Sequence, residues 1–269
     1  MIKLIFIKCL FVTMVMLQLN ALAQPNNYSA KVNTQIGNKG KGASKNESYL
    51  EAGYTFPGAT YPMGMVQFTP TFFSPDKGFV ANQMSGAGCD HMGNFPTMPL
   101  EGKLQSSPYD MMALNNKFTI QQSTAGYFSV KAGNIECRLT VTPRTGMAVY
   151  KYPAKAKEGT IVIGSGLNGT TITNASIKIT SNKTCEGYAD GGTFCGSAAN
   201  YTVYFVAAFD SPALNNGTWK DKNLHIGIDT ATGSFSGAWF TFDVAKNKKV
   251  HYKFAISYVS LENAKENLK

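Results

Sequence analysis

The chain has 269 residues, 43% of them hydrophobic and 15% charged, with a formal charge of +9 at neutral pH. That is too apolar for a disordered chain and leaves room for one large β domain or two small ones. Only Arg138 and Arg144 are arginines and no basic run interleaves with aromatics, so the charge is a lysine-rich solvated surface and no nucleic-acid partner is expected.

In chain order, residues 1–23 come first. Residues 1–3 are basic, residues 4–19 are apolar except for Lys8, and Ala21-Leu22-Ala23 supplies the small-x-small pattern cut by signal peptidase. A secreted or periplasmic protein beginning at Gln24 is expected, with no membrane span after cleavage. Losing Lys3 and Lys8 lowers the formal charge to +7. Residues 24–48 are polar, and "NKGKGASKNES" reads as an exposed loop.

The stretch "EAGYTFPGATYPMGMVQFTP", residues 51–70, carries too many glycines and prolines for a helix and too much apolar surface for a solvated linker. It reads as a rigid loop entering a strand. A second such stretch, "GFVANQMSGAGCDHMGNFPTMPLEG", spans residues 78–102. From Phe118 onward the pattern is β. "IECRLTVT" sets Ile135, Cys137, Leu139 and Val141 against Glu136, Arg138, Thr140 and Thr142. "VHYKFAISYV" sets Val250, Tyr252, Phe254, Ile256 and Tyr258 against His251, Lys253 and Ser257. Both alternate with period two, as half-buried strands do. "FTIQQS", "GYFSVKA", "GMAVYKY", "TIVIG", "TTITNASIKIT", "YTVYFVAAF" and "SGAWFTFDV" are further strands, spaced by Gly, Asn, Asp and Pro as in a sandwich. The chain should be antiparallel from Phe118 to Tyr258, with Ile135, Leu139, Phe254 and Ile256 in one core. "SLENAKENLK" starts a helix at residues 260–269 with Ser260 as N-cap.

Four cysteines follow the leader: Cys89, Cys137, Cys185 and Cys195. Export permits disulfides, and four cysteines allow three pairings. Cys185 and Cys195 flank "EGYADGGTF", whose Gly-Gly would fold a hairpin that opposes their sulfurs; this bridge is an expectation. Cys137 alternates inward and reads as a buried free thiol. Neither CxxC pairs nor clustered histidines occur, so no zinc site is expected.

"SGAGCD" offers unobstructed backbone N–H groups beside Ser85, Cys89 and Asp90, a setting for a polar ligand. Phe79, Met84, Phe95 and Met98 are the matching candidates for an apolar wall under a sugar ring. Packing of the loop against the sandwich is the competing explanation. A nucleophile at Ser85 or Cys89 needs an oriented histidine and no G-x-S-x-G elbow exists, so no triad is expected. Nor is any carboxylate pair marked as acid and base.

"YTFPGATYPMGMVQFTP", the SGAGC stretch, "LTVTPRTGMAVYKYP" and "YVSLENAKENL" occur in the order seen in glycoside hydrolase family 92, and the chain resembles the N-terminal domain of those calcium-dependent exo-α-mannosidases from about Val32 onward. The resemblance implies an all-β fold, a large antiparallel supersandwich of galactose-mutarotase type, over residues 24–259. Residues 260–269 would open the linker to a C-terminal (α/α)6 barrel. The barrel would supply the catalytic acid and base and most of the calcium environment. This domain would contribute loops to the mannose pocket, which points to Phe56, Gly58, Ser85, Gly86, Gly88, Cys89 and Asp90 as substrate-binding residues. Where the family commonly has Thr-His before the turn, this chain has Asn82-Gln83 and lacks the imidazole.

The implied activity is inverting release of mannose from mannose-containing glycans, α-1,2-linked, by a site that this chain shares with the barrel. A free-standing glycan-binding β-sandwich is the alternative, and a purely structural surface domain a third.

Overall fold

In a computed structural model the described residues are 27–38, 53–71, 76–86, 92–111, 113–114, 116–167, 172–193 and 196–269. Residues 1–26 and 39–52 lie outside them. The chain divides into residues 1–32 and 33–269. In the first unit a 3-10 helix, Tyr28–Lys31, is capped by Asn27, whose side chain accepts from the Ala30 N–H.

The second unit holds the strands. They are β1 (Ala59–Thr60), β2 (Gln67–Pro70), β3 (Phe79–Val80), β4 (Thr97–Glu101), β5 (Phe118–Thr124) and β6 (Tyr127–Ala132). Next come β7 (Ile135–Val141), β8 (Thr145–Lys151), β9 (Glu158–Gly164), β10 (Ala175–Ser181), β11 (Thr184–Gly192) and β12 (Asn200–Phe209). The last are β13 (Asn215–Lys220), β14 (Asn223–Ile226), β15 (Thr230–Thr232), β16 (Ser236–Asp243) and β17 (Lys249–Ser257). One sheet runs β1-β2-β3-β4-β9-β16-β13-β14, the other β15-β10-β11-β12-β17-β8-β7-β6-β5. The described pairings are antiparallel, as in the register Leu139↔Ala148 of β7 with β8. The two sheets stack as a sandwich with one shared core that includes Ile135, Leu139, Phe254 and Ile256. The expected β architecture and its core are borne out.

Alternation explains most of this. Along β7, Ile135, Cys137 and Leu139 are buried while Arg138 and Thr140 are exposed. In β17 the pattern holds through Phe254, then Ala255 and Ser257 are buried as well. The reason is a helix, α1 (Leu261–Leu268), laid on the outer face, where Ala264 packs against Ala255 and Val206. Ser260 caps it, accepting from the Asn263 N–H at 3.1 Å, and Asn267 Nδ2 ties it to the Ile256 carbonyl at 2.9 Å. The outer face of the other sheet has its own apolar layer. There Met98, Met111, Leu114, Val162, Trp219 and Trp239 pack together, and Trp219 Nε1 donates to the Tyr109 carbonyl at 2.9 Å.

The segment around Cys185 departs from expectation. "EGYADGG" forms no hairpin: it is the body of β11, with Gly191 opposite Tyr201 and Gly192 opposite Asn200 on β12. The glycines are there because neighbouring backbone comes close. A Cβ on Gly187 would meet the Ser176 carbonyl at 2.2 Å, and one on Gly192 the Ala199 carbonyl at 2.4 Å. Cys185 is a free, fully buried thiol, as is Cys137. Cys195 lies outside the described residues. The extended run from Cys185 to Gly192 covers about 23 Å; three further residues span at most about 11 Å. That leaves no route to the short Cα separation a disulfide needs. The expected bridge is therefore corrected.

Burial in apolar surroundings raises the thiol pKa of both Cys137 and Cys185. Iodoacetamide at mildly alkaline pH should leave both unmodified in the native chain and label both after denaturation. Mass spectrometry that finds Cys185 in a disulfide, or labelled in the native state, would contradict this.

Three buried tyrosines in the core differ in satisfaction. The Tyr152 hydroxyl donates to the Thr160 carbonyl at 3.3 Å, and the Tyr252 hydroxyl accepts from Thr97 at 3.2 Å. Among the described residues the Tyr150 hydroxyl has no hydrogen-bond partner. Tyr150→Phe should be neutral or stabilising in urea unfolding, whereas Tyr252→Phe should destabilise by about 1 kcal/mol. Equal losses for the two would show that Tyr150 is partnered in solution.

Candidate functional site

The two loop stretches singled out in the sequence meet at one end of the sandwich. Residues 61–66 join β1 to β2 as a short hairpin, with Ala59 opposite Phe68. The excursion after β3 is closed by the bridge Gln83↔Met92, and Asn94 then pairs with Gly166 just past β9. The stretches bind each other directly: the Gly86 N–H donates to the Tyr54 carbonyl at 2.9 Å, and the Gln83 N–H donates to Gln67 Oε1 at 3.2 Å.

Four non-glycine residues here, Tyr54, Met63, Met92 and Phe95, sit at φ between 50 and 59°. The left-handed region costs such residues free energy and tends to be retained where function depends on the shape.

Asn82, fully buried, is the hub of the region. Its Oδ1 accepts from the N–H groups of Gly93 (3.2 Å) and Asn94 (2.8 Å). Its Nδ2 donates to Asn94 Oδ1 (3.0 Å) and to the Tyr258 hydroxyl (3.1 Å). Asn94 Oδ1 also accepts from the Tyr201 hydroxyl at 2.5 Å, and the Tyr201 and Tyr258 rings meet edge to face. Burial raises the Tyr258 pKa, partly offset by the Asn82 hydrogen bond, so the phenol stays protonated. With Asn82 as donor, the Tyr258 proton remains to be given elsewhere.

Tyr201 also lines a polar cleft of about 710 Å³ with Thr173, Asp190, Gly191, Gly192, Thr193, Asn200 and Thr202. Asp190 Oδ1 accepts from the Thr202 hydroxyl at 2.8 Å, leaving its second oxygen to accept from a ligand. Among the described residues lining this cleft, Asp190 is the one carboxylate.

The candidate residues fare differently. Ser85 and Gly86 are exposed at this end, and Phe56, two residues past Tyr54, is half-buried. Gly86 has φ +76°, and a Cβ there would meet nothing within 4 Å, so its glycine is required by backbone conformation rather than by close approach. Gly58 is buried. A Cβ there would meet the Thr69 Cβ at 2.1 Å, and its N–H donates to Thr69 Oγ1 at 3.0 Å. Its glycine is explained by packing. Gly88, Cys89 and Asp90 lie outside the described residues. The expected apolar wall is corrected: Phe79, Phe95 and Met98 are core residues, Phe95 stacking on Phe205 at 4.4 Å, and only Met84 is exposed. The apolar groups that do face solvent at this end are Tyr61, Met63 and Met84.

Sequence reasoning missed Asn94, Tyr201, Tyr258 and Asp190. The tyrosines sit at the edges of strands that read as core. The asparagines, "VANQ" and "GNF", flank the glycine loop symmetrically, and that symmetry was the available signal.

The geometry defines the end of a two-sheet antiparallel supersandwich built around hydrogen-bonded loops. The profile of the glycosyl hydrolase family 92 N-terminal domain matches residues 31–257, and the chain belongs to that family. Solved structures agree in fold. The family 92 glycosyl hydrolase ccman5 superposes with a TM-score of 0.75 at 22% identity, over 89% of this chain and 34% of its own. The family 92 α-mannosidase BT3965 from Bacteroides thetaiotaomicron gives 0.76 at 21% over 91% and 35%. The inverting mannosidase BT2199 from Bacteroides thetaiotaomicron VPI-5482 gives 0.73 at 22% over 88% and 32%. The chain thus spans about a third of the length of these neighbours. No curated protein matches it.

Asn82→Ala would strand the N–H groups of Gly93 and Asn94 and loosen Asn94 and Tyr258. It should lower stability to urea by about 3 kcal/mol, since buried groups left unsatisfied cost about 1–3 kcal/mol each. Ser85→Ala, exposed on the same loop, should change it by less than about 0.5 kcal/mol. Similar small losses for both would remove Asn82 from its place as hub.

Proposed function

We propose that this chain is the N-terminal domain of an exported exo-α-mannosidase that acts with inversion on α-1,2-linked mannose, and that it lends sugar-binding loops to a site shared with an (α/α)6 barrel. Family membership supports the glycoside hydrolase assignment, and the neighbours BT3965 and BT2199, both described as mannosidases, support the substrate class. A structure of BT3965 is described as a complex with mannoimidazole, in keeping with a mannose pocket.

The observation that carries the division of labour is that the described residues lining the cleft hold one carboxylate, Asp190. Inversion needs two, an acid on the leaving oxygen and a base on the attacking water, about 6.5–9.5 Å apart. The described residues around the loops offer instead hydroxyls, amides and backbone groups: Tyr258, Asn200, Thr173, Ser85 and the second oxygen of Asp190. Such groups hold and orient a sugar by its hydroxyls and leave proton transfer to another part of the protein. For calcium, no three His, Cys, Asp or Glu residues come together among the described residues. The calcium implied by the resemblance is proposed to sit mostly in the barrel. No helix among the described residues is long and apolar enough to cross a membrane; export rests on the leader-like residues 1–23.

The rival reading, a glycan-binding module without catalysis, draws on the same cleft. Activity separates them. The 269-residue chain alone should release no mannose from α-1,2-mannobiose, because acid–base assistance worth about 10²–10⁴-fold is missing. Joined to a family barrel it should release mannose in a calcium-dependent way. In that joined form Gly86→Val should lower turnover well below Lys253→Ala, since a β-branched residue is strained at φ +76°. Hydrolysis by the isolated chain, or no gain from the barrel, would overturn the reading. Equal activity of the two folded variants would take the Gly86 turn out of the site.

A further inference from the structure

The helix α1 covers only part of the outer face of its sheet, over β11, β12 and β17. Beside it a groove of about 850 Å³ runs over the outer face of β5–β8, lined among the described residues by side chains of these strands and of residues 152–154. We propose that this groove is a second glycan-binding surface, separate from the loop end of the sandwich, and that it takes an acidic polysaccharide.

Charge is the first argument. Four charged side chains line the groove, the cations Lys131, Arg138 and Lys151 and the carboxylate of Glu136, for a net charge of +2. The strand register explains the assembly: Lys131 lies opposite Glu136, and Glu136 opposite Lys151. The two lysines therefore flank the carboxylate, about 10 Å apart across two strand spacings. Glu136 is committed internally. One oxygen accepts from Arg138 Nε at 2.6 Å, and the other faces Lys151 Nζ at 3.4 Å. It holds the guanidinium in place through Nε and Nη2 and offsets one of the three positive charges, so that the net +2 remains. Lys131 makes no ion pair among the described residues.

Residue type is the second argument. The protein has two arginines among 25 basic residues, and one of them stands in this groove. The planar fork of arginine suits carboxylate and sulfate oxygens, which lysine meets only as a point charge. The surrounding groups are those that bind sugar hydroxyls. The Ser129 side chain lies at the mostly buried floor, opposite Arg138. A register shift between Ile120 and Gln122 breaks the alternation of β5, so that the consecutive amides of Gln121 and Gln122 both border the groove. Tyr127, half-buried, supplies the one ring face outside the Tyr152 end. A nucleic-acid strand would call for several exposed aromatics on which successive bases stack, and the groove does not offer them.

The test measures binding of the purified chain to polygalacturonate, to a sulfated α-mannan, to neutral α-mannan and to single-stranded DNA, by calorimetry at low ionic strength. At least one acidic polysaccharide should bind, the carboxylated and sulfated probes separating the two sources of negative charge. Arg138→Ala and Lys131→Ala should each weaken that binding about tenfold, the loss expected for one charge-assisted contact. Arg138→Lys should weaken it less. Lys246→Ala, which removes the same charge from an exposed turn, should stay within about twofold of wild type. Should Arg138→Ala fail to fold, Lys131→Ala carries the measurement. Equal weakening by Lys246→Ala would reduce the effect to attraction by net charge and overturn the proposal. So would tighter binding of DNA than of both acidic glycans, or no binding of either. Because none of these arms uses mannosidase activity, the result stands apart from the proposed function.

Discussion

Phe254 is the keystone of the fold. It lies 4.9 Å from Phe68 of the facing sheet, edge to face, and 5.9 Å from Phe205 on the neighbouring strand. Phe205 in turn carries Phe95, stacked at 4.4 Å. This file of rings joins both sheets and ends under the loops that form the candidate site. Aromatic pairs of this kind add about 0.5–1.5 kcal/mol each beyond the area they bury. Their fit also dictates a glycine: a Cβ on Gly146 would meet the Phe254 ring at 2.3 Å. The left-handed Phe95 is tolerable because the stack holds it there, and with it the backbone that Asn82 and Asn94 organise.

How much of this was legible followed from the physics of each segment. Strands with one buried face, such as β7 and β17, announce themselves by alternation, and their shared core could be named residue by residue. β11 was hidden because glycine signals a turn in most settings, whereas here it marks backbone packed against backbone. β1–β4 were hidden for another reason: their proline- and glycine-rich stretches contain strands of two to five residues, too short for alternation to show. The site was legible as a region and much less so as residues. Phe79, Phe95 and Met98 look identical on paper to ligand-facing apolar residues. Tyr201 and Tyr258 acquire their polar roles only because two strand ends arrive beside Asn82 and Asn94.

The two sheets dispose of their outer faces differently. The sheet that contains β9 is buried on both sides, under the segment that brings Met111 and Leu114 onto Val162. The other is covered by α1 over its centre and left polar over β5–β8. A fully exposed sheet face of mixed charge is ordinary in an antiparallel sandwich. The concentration of cations, amides and an arginine on one quarter of it is what singles out that quarter as a binding surface, separate from the loop end.

The contact between Trp219 and the Tyr109 carbonyl has a consequence for how this domain can be watched. Both tryptophans of the protein, Trp219 and Trp239, belong to the layer on the outer face of one sheet. Their emission therefore senses the packing of Leu104, Met111 and Leu114 onto that sheet, while far-ultraviolet dichroism averages over all the strands. The two signals form a built-in pair of clocks. If the outer layer peels away before the sandwich opens, the fluorescence curve will run ahead of the dichroism curve, and the lag between them will measure how tightly that layer is bound.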